Sequence, residues 1–176
     1  MSAILETRLA PWPDEAACAR SASDLAVRPG LGDAFVELHG PLGAGKTTFV
    51  RHLLRALGVE GRVKSPTYAL MEAYEAAPDR GGFAIAHFDF YRFDDAQEWE
   101  DAGFREVFAG PGLKLVEWPE KAAALLPRCD LRVTIAPRDE AGAEDGDGDG
   151  GDAAAVATPR DARFEALSAL GVALLQ

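Results

Sequence analysis

Short apolar runs alternate with amphipathic segments along most of the chain, and this pattern predicts alternating strands and helices. Residues 34–39 and 113–118 are short apolar runs typical of strands. Between residues 47 and 57 the apolar side chains recur at helical spacing until Gly58. We therefore predict strands at 34–39, 69–76, 83–90, 113–118 and 131–135, and helices at about 14–27, 47–57, 94–100 and 119–126.

The other segments give weaker signals for helix caps, for the ambiguous elements and for the number of domains. Asp14, and either Asp94 or Asp95, can cap helices because their carboxylates accept from the free N–H groups of a first turn. Residues 104–108 favour another turn, and residues 163–175 fit a strand or a helix. A chain of 176 residues is long enough for one α/β domain with a sizeable core. We expect residues 1–176 to form that single domain.

Composition and charge exclude several functional classes. The two cysteines, Cys18 and Cys129, are far apart and belong to no C-x-x-C pair, so we expect buried or inert thiols in a reducing cytosol and no metal cluster. Charges at Glu6 and Arg8 argue against a signal peptide, and no apolar stretch of about 18 residues predicts a membrane span. We therefore expect a cytoplasmic protein with no membrane partner.

The net charge of −11 is unevenly distributed. Seven acids and no base lie in residues 139–152, which leaves −4 for the rest of the chain. No basic stripe is apparent, which disfavours autonomous binding of RNA or DNA but leaves open a surface shared within a complex.

The acidic segment has some features of a calcium-binding loop. Asp145, Asp147, Asp149 and Gly150 match the first positions of an EF-hand loop, but Val156 stands where the final glutamate belongs. We therefore interpret about 139–157 as a flexible, solvated insertion.

The strongest chemical signal is the segment from Gly40 to Thr48, which matches the phosphate-binding pattern G-x-x-x-x-G-K-[ST] between a predicted strand and a predicted helix. Glycine-rich backbone can turn successive N–H groups toward a polyphosphate, and the helix start adds its positive end. Lys46 is expected to reach the β- and γ-phosphates, and the Thr47 hydroxyl to bind Mg²⁺. The expected nucleotide contacts are Gly40, Pro41, Leu42, Gly43, Ala44, Gly45, Lys46, Thr47 and Thr48.

Two acids follow apolar strands, as the metal-side carboxylate of a P-loop enzyme usually does. Asp89 follows residues 83–88, and Glu117 follows residues 113–116. One could hold Mg²⁺ and the other could orient the attacking water. The residues alone leave open which acid has which role.

Other polar residues near these strands have weaker signals. Thr67, in the turn after Ser65 and Pro66, is placed where switch-type nucleotidases sense Mg²⁺ and the γ-phosphate. His87 is expected to be a partly buried strand histidine rather than a base, and Trp118 a packing aromatic beside Glu117. The chain contains no Asn-Lys-x-Asp sequence, which favours ATP over GTP.

Four blocks together resemble the bacterial ATPase family of tRNA threonylcarbamoyladenosine biosynthesis (TsaE). They are residues 40–48, 64–68 (Lys-Ser-Pro-Thr-Tyr), 87–92 (His-Phe-Asp-Phe-Tyr-Arg) and 117–121 (Glu-Trp-Pro-Glu-Lys). The resemblance covers about residues 14–137. It implies a three-layer P-loop NTPase fold with a central, mainly parallel sheet. It also implies assembly with two paralogous sugar-kinase-like subunits, which together modify adenosine 37 of tRNAs reading ANN codons. The tRNA is then bound mainly by that complex.

The resemblance also implies roles for single residues. Lys46 is the phosphate lysine, Thr47 and Glu117 are the Mg²⁺ ligands, and Asp89 is either the water-activating acid or an acid that supports the metal ligands from outside. Ser65 and Thr67 form a switch-like segment, and Glu15 lies near the base of ATP. Two departures stand out: Pro41 replaces a frequent aspartate, and the acidic insertion follows Ile135, so we transfer no residue beyond about Arg138.

Three functions follow from these features. The leading one is an ATPase subunit of a tRNA-modifying assembly, with weak activity on its own. A small-molecule kinase could use the same loop, although no long arginine-rich lid is evident. A nucleotide-gated binding module with negligible hydrolysis is the third.

Overall fold

A sheet forms the centre of the computed structural model, which describes residues 3–138 and 158–176. Its strands are β1 (Glu6–Trp12), β2 (Phe35–His39), β3 (Met71–Glu75), β4 (Ala84–Asp89), β5 (Leu113–Glu117), β6 (Leu131–Pro137) and β7 (Arg160–Ala166). The helices are α1 (Glu15–Ala26), α2 (Lys46–Ala56), α3 (Ala96–Asp101), α4 (Phe104–Ala109) and α5 (Ala169–Leu175). Within these residues the strand order is β1-β7-β6-β2-β5-β4-β3.

The middle of the sheet is parallel and its two margins are antiparallel. Strands β6, β2, β5 and β4 run in one direction, whereas β3 pairs antiparallel with β4, and β7 with both β6 and β1. The predicted parallel sheet is thus confirmed for the central strands. Because parallel strands end at one edge, the loops after β2, β4 and β5 meet there.

Helices cover both faces of the sheet, which gives the predicted three layers. On one face, α1, α2 and α5 pack on an aliphatic cluster that includes Val36, Leu53 and Leu54. On the other face, α3 and α4 enclose a cluster rich in aromatic rings, with Phe88 and Trp99 almost fully buried. Such burial of apolar side chains is the main stabilising contribution to a domain of this size.

Most predicted elements are present with shifted ends. The cap at Asp14 is confirmed, since its carboxylate accepts from the Ala17 N–H at 2.8 Å. The helix predicted over 119–126 is a shorter 3₁₀ turn, Pro119–Ala122. The ambiguous segment 163–175 contains both elements, because β7 ends at Ala166 and Ser168 caps α5.

Strand β1 was not predicted from the pattern. Its side chains are largely exposed as far as Pro11, so it lacks the alternating burial of an inner strand. It lies at the edge of the sheet, where a proline costs little. The acidic insertion, with its aspartates that match part of a calcium loop, lies outside the described residues. Within the described residues, no helix has the length and apolar character to cross a membrane.

Candidate nucleotide-binding site

The loop between β2 and α2 adopts a backbone that requires glycine at two positions. Gly45 precedes the first residue of α2 with φ of 104°. Gly40 has φ of 143°, and a Cβ there would lie 2.3 Å from the carbonyl oxygen of Ile135. A side chain at Gly40 would therefore clash with β6. This geometry explains the glycine spacing of the phosphate-binding pattern.

The Lys46 ammonium lies inside this loop. Its Nζ donates to the carbonyl oxygens of Gly40 at 2.6 Å and Pro41 at 3.0 Å, and the side chain is 4% exposed. Burial lowers the pKa of Lys46, while nearby carboxylates, Glu117 first among them, oppose that shift. An incoming anion can replace these carbonyl contacts with stronger charge-assisted ones.

The sequence predicted that Trp118 only packs beside Glu117, but its indole also contacts the Lys46 ammonium. Trp118 has a left-handed backbone with φ of 56°, which is uncommon for a residue with a Cβ. This conformation follows the end of β5, and the Lys46 Nζ lies 3.9 Å from the ring centroid. The indole face stabilises the ammonium by a cation–π contact. The ring also packs against Tyr91, with centroids 4.9 Å apart.

Thr47 and Glu117 are in direct contact. The Thr47 hydroxyl lies 2.9 and 2.8 Å from the two carboxylate oxygens of Glu117, which is 2% exposed. A hydroxyl and a carboxylate are oxygen ligands of the kind that Mg²⁺ prefers. The two residues predicted to share the metal are therefore brought together, and they fit that ion chemically.

Asp89 anchors the predicted switch segment. One carboxylate oxygen, Oδ2, accepts hydrogen bonds from the hydroxyls of Ser65 and, at 2.9 Å, of Thr67. The other, Oδ1, accepts from the backbone N–H of Tyr91 at 3.0 Å. These contacts hold the segment against the end of β4. The structure thus groups Asp89 with Ser65 and Thr67, although the acid lies on a different element from that segment.

The two predicted acids lie on neighbouring strands at the same register. Asp89 is paired with Glu117 across β4 and β5, and both are the last residues of their strands. Among the described residues, no group of three or more His, Cys, Asp or Glu side chains could hold a metal ion. A Mg²⁺ ion at this edge would therefore depend on phosphate oxygens and water for its remaining ligands.

These residues surround one cleft of about 400 Å³. Of the predicted nucleotide contacts, the cleft is lined by Glu15, Leu42, Gly43, Ala44, Gly45, Lys46, Thr47 and Thr48. Gly40 and Pro41 do not line the cleft, but their carbonyl oxygens accept hydrogen bonds from Lys46. Glu15 is 2.9 Å from the ring of His52 on α2, which orients its carboxylate at the rim.

The sequence pattern missed several residues of the cleft wall, of which Arg160 is the most important. It lies on β7, beyond the acidic insertion and therefore beyond the part of the chain over which the family resemblance was traced. One terminal nitrogen of its guanidinium donates to the carbonyl oxygen of Gly43 at 2.9 Å. Its Nε is buried and has no hydrogen-bond partner within the described residues. The cleft therefore contains a second cation, contributed by the far end of the chain.

Cys18 and Trp12 also line the cleft. Burial raises the pKa of the Cys18 thiol to about 12, so the thiol is neutral and unreactive at physiological pH. The Trp12 indole stacks on Phe49 of α2, with centroids 5.5 Å apart. The expectation of buried thiols is confirmed for both Cys18 and Cys129.

A basic cleft adjoins the candidate site, although the sequence shows no basic stripe. Arg51 and Arg55 on α2, together with Arg62 and Lys64 of the following loop, line this cleft. Within the part of the chain that the structure describes, none of the four forms an ion pair with a carboxylate. These four bases outnumber Glu15, the one acid that lines this cleft, and they concentrate positive charge beside Ser65 and Thr47 despite the acidic composition.

Comparisons with known proteins point to one family. The family model "Threonylcarbamoyl adenosine biosynthesis protein TsaE" matches residues 12–144. Proteins named "tRNA threonylcarbamoyladenosine biosynthesis protein TsaE" are similar to this chain. The Haemophilus influenzae protein is 46% identical over 60% of this chain and 65% of its own length. The Treponema pallidum protein is 34% identical over 57% of this chain and 70% of its own length. The Bacillus subtilis protein is 40% identical over 56% of this chain and 58% of its own length.

A solved structure has the same fold. The crystal structure of Bacillus subtilis YdiB superposes with a TM-score of 0.71 over 99% of this chain and 95% of that one, at 23% identity. That likeness supports the architecture alone. The segments matched in the three relatives span 58% to 70% of their lengths, so the overlap with each relative is partial.

Proposed function

The chain belongs to the TsaE family, and we propose that it is a P-loop ATPase required for N6-threonylcarbamoyladenosine at position 37 of tRNAs reading ANN codons. The observation that carries this proposal is the single cleft that joins Lys46, Thr47, Asp89 and Glu117 in a chain of this family. ATP turnover would drive or reset the complex rather than modify RNA directly. Because its target is tRNA, we place the protein in the cytoplasm.

The proposed ATP contacts follow from the cleft wall. The loop from Gly40 to Thr48 supplies backbone N–H groups for the phosphates, and Lys46 supplies a cation. Arg160 lies beside Gly43 and Gly45 and adds a second positive charge to the cleft wall. Glu15 lies at the rim, where it would approach the base.

Mg²⁺ would be held by Thr47 and Glu117. Their contact at 2.8–2.9 Å supports this assignment, because both side chains already present oxygen atoms at one point of the cleft. Bound there with ATP, the ion would neutralise charge on the β- and γ-phosphate oxygens. The buried Glu117 carboxylate offsets the charge of the ion.

Asp89 is the proposed water-orienting acid. In this structure its Oδ2 atom is engaged by Ser65 and Thr67. We propose that the switch-like segment releases that oxygen when Thr67 turns toward the nucleotide. Asp89 could then accept a hydrogen bond from the attacking water and orient it toward the γ-phosphate.

The proposed partners are the other subunits of the modifying complex, and tRNA mainly through that complex. The basic cleft of Arg51, Arg55, Arg62 and Lys64 supports contact with an anionic surface of that assembly. Such a contact would lie next to the nucleotide, because Thr47 and Ser65 line both clefts. A partner subunit bound at the basic cleft would then sense whether ATP occupies the neighbouring cleft.

We expect Glu117→Gln and Asp89→Asn to have different effects. Glu117→Gln should weaken Mg²⁺-dependent ATP binding by about 10- to 100-fold, because an amide is a poorer ligand for a hard cation. Asp89→Asn should leave binding nearly unchanged and lower turnover by about 10²- to 10⁴-fold. Calorimetry and single-turnover hydrolysis with the partner subunits measure the two effects. If Asp89→Asn instead reduced Mg²⁺ affinity, the two roles would be reversed.

Two other functions use the same cleft and can be separated by experiment. A small-molecule kinase would need an acceptor, so ADP release that depends on one compound in a metabolite screen would identify it. A nucleotide-gated binding module would bind ATP and hydrolyse it negligibly even with partners. Single-turnover assays with and without the partner subunits distinguish it from an ATPase.

A further inference from the structure

His87 is buried behind the candidate metal site and contacts one of its two proposed ligands. The residue lies on β4, its side chain is 0% exposed, and its Nε2 atom is 2.9 Å from Oε1 of Glu117. The predicted strand position is confirmed, but the predicted partial burial is wrong, because the imidazole is fully buried. It does not line the cleft, so it has no access to a nucleotide there.

The surroundings of the imidazole determine which nitrogen carries the proton. Its Nδ1 atom is buried and has no partner within the described residues. A proton on Nδ1 would leave that donor unpaired and would point the Nε2 lone pair at the carboxylate. We therefore assign the proton to Nε2, which donates to Glu117.

Glu117 thus receives two contacts of different kinds. The Thr47 hydroxyl donates from the cleft side, and His87 donates from the buried side. Thr47 is itself a proposed ligand, so its contact with Glu117 would change when a cation binds between them. His87 contacts Oε1 alone, so Oε2, which among the described residues is contacted only by Thr47, is the oxygen that remains open to the cation.

We infer that His87 is a positioning residue that holds the Glu117 carboxylate in the orientation needed to bind Mg²⁺. This inference rests on the proposed Mg²⁺–ATP function. A glutamate has three rotatable side-chain bonds, and a fixed donor behind it selects one arrangement before the metal arrives. Outer partners of this kind typically change metal affinity 10- to 100-fold when they are removed.

The test compares His87→Leu, which removes the donor and keeps much of the volume, with His87→Gln, whose amide nitrogen can still reach Glu117. Calorimetry measures the affinity for a non-hydrolysable ATP analogue in Mg²⁺ and, separately, in EDTA. We expect His87→Leu to lose about 10- to 100-fold in the Mg²⁺ arm and nothing in the EDTA arm. His87→Gln should stay within a few-fold of the wild type in both.

The controls separate a positioning role from a structural one. Damage to the fold would reduce binding in both arms, so equal losses in Mg²⁺ and EDTA would overturn the inference. Unchanged Mg²⁺ dependence in His87→Leu would do the same. If His87→Leu does not fold, His87→Asn replaces it, because that shorter amide is polar but cannot reach Glu117. Wild-type binding that is indifferent to Mg²⁺ would instead contradict the proposed function itself.

Discussion

Purified alone, the protein should hydrolyse ATP slowly, and its partner subunits should raise the rate by up to roughly 10³- to 10⁵-fold, the range by which incomplete P-loop sites fall short. The reason lies in the contacts of the isolated chain. Asp89 already accepts hydrogen bonds from Ser65, Thr67 and the Tyr91 N–H, so most of its lone pairs are occupied before a water molecule arrives. Steady-state ADP release with and without the partners measures the difference.

An inactive variant controls for contaminating ATPases. Lys46→Ala mixed with the same partners should show no stimulation. A further variant, Arg160→Ala, shows whether the cation on β7 contributes to the completed site, since it leaves Lys46 in place. A rate for the isolated protein as high as that of the complex would show that the chain is a complete ATPase on its own.

The second large effect is expected on ATP binding. Lys46→Ala removes charge-assisted contacts with the β- and γ-phosphates, each worth about 1.5–3 kcal/mol. ATP affinity should therefore fall roughly 10- to 150-fold, measured by calorimetry. The matched control is Lys121→Ala, because that exposed lysine does not line the cleft and should bind ATP normally. Unchanged ATP affinity in Lys46→Ala would disprove the phosphate assignment.

The fold of the Lys46→Ala variant must be verified independently. Lys46 is buried and its Nζ donates to two loop carbonyls and lies over Trp118, so its removal leaves acceptors and an indole face without a partner. The melting temperature of the variant without nucleotide reports that effect. A normal melting temperature together with weak ATP binding would assign the loss to the phosphate contacts.

The core of the site could be predicted because its signals are local. The phosphate-binding pattern occupies consecutive residues, and its strand and helix flanks are visible on either side. Asp89 and Glu117 could be predicted because each follows an apolar run, and the ends of parallel strands converge at one edge. These features depend on periodicity and chain order more than on tertiary packing.

The remaining features depend on register and on distant pairing. His87 reaches Glu117 only because β4 and β5 pair with one particular register. Arg160 enters the cleft because β7 returns antiparallel beside β6, after an insertion without strand signals. The basic cleft combines one face of α2 with the loop that follows it. No short window of the sequence contains either of the first two arrangements, whereas the four basic residues of the cleft, Arg51 to Lys64, do lie within one window.

The measurement that tests the account most directly is the level of N6-threonylcarbamoyladenosine in tRNA after the protein is depleted from its own cells. Mass spectrometry of hydrolysed tRNAs reading ANN codons should show loss of this nucleoside. Re-expression of the wild type should restore it, whereas re-expression of Lys46→Ala should not. A normal level of the modified nucleoside in depleted cells would contradict the proposed role, whatever the ATP binding and hydrolysis assays show.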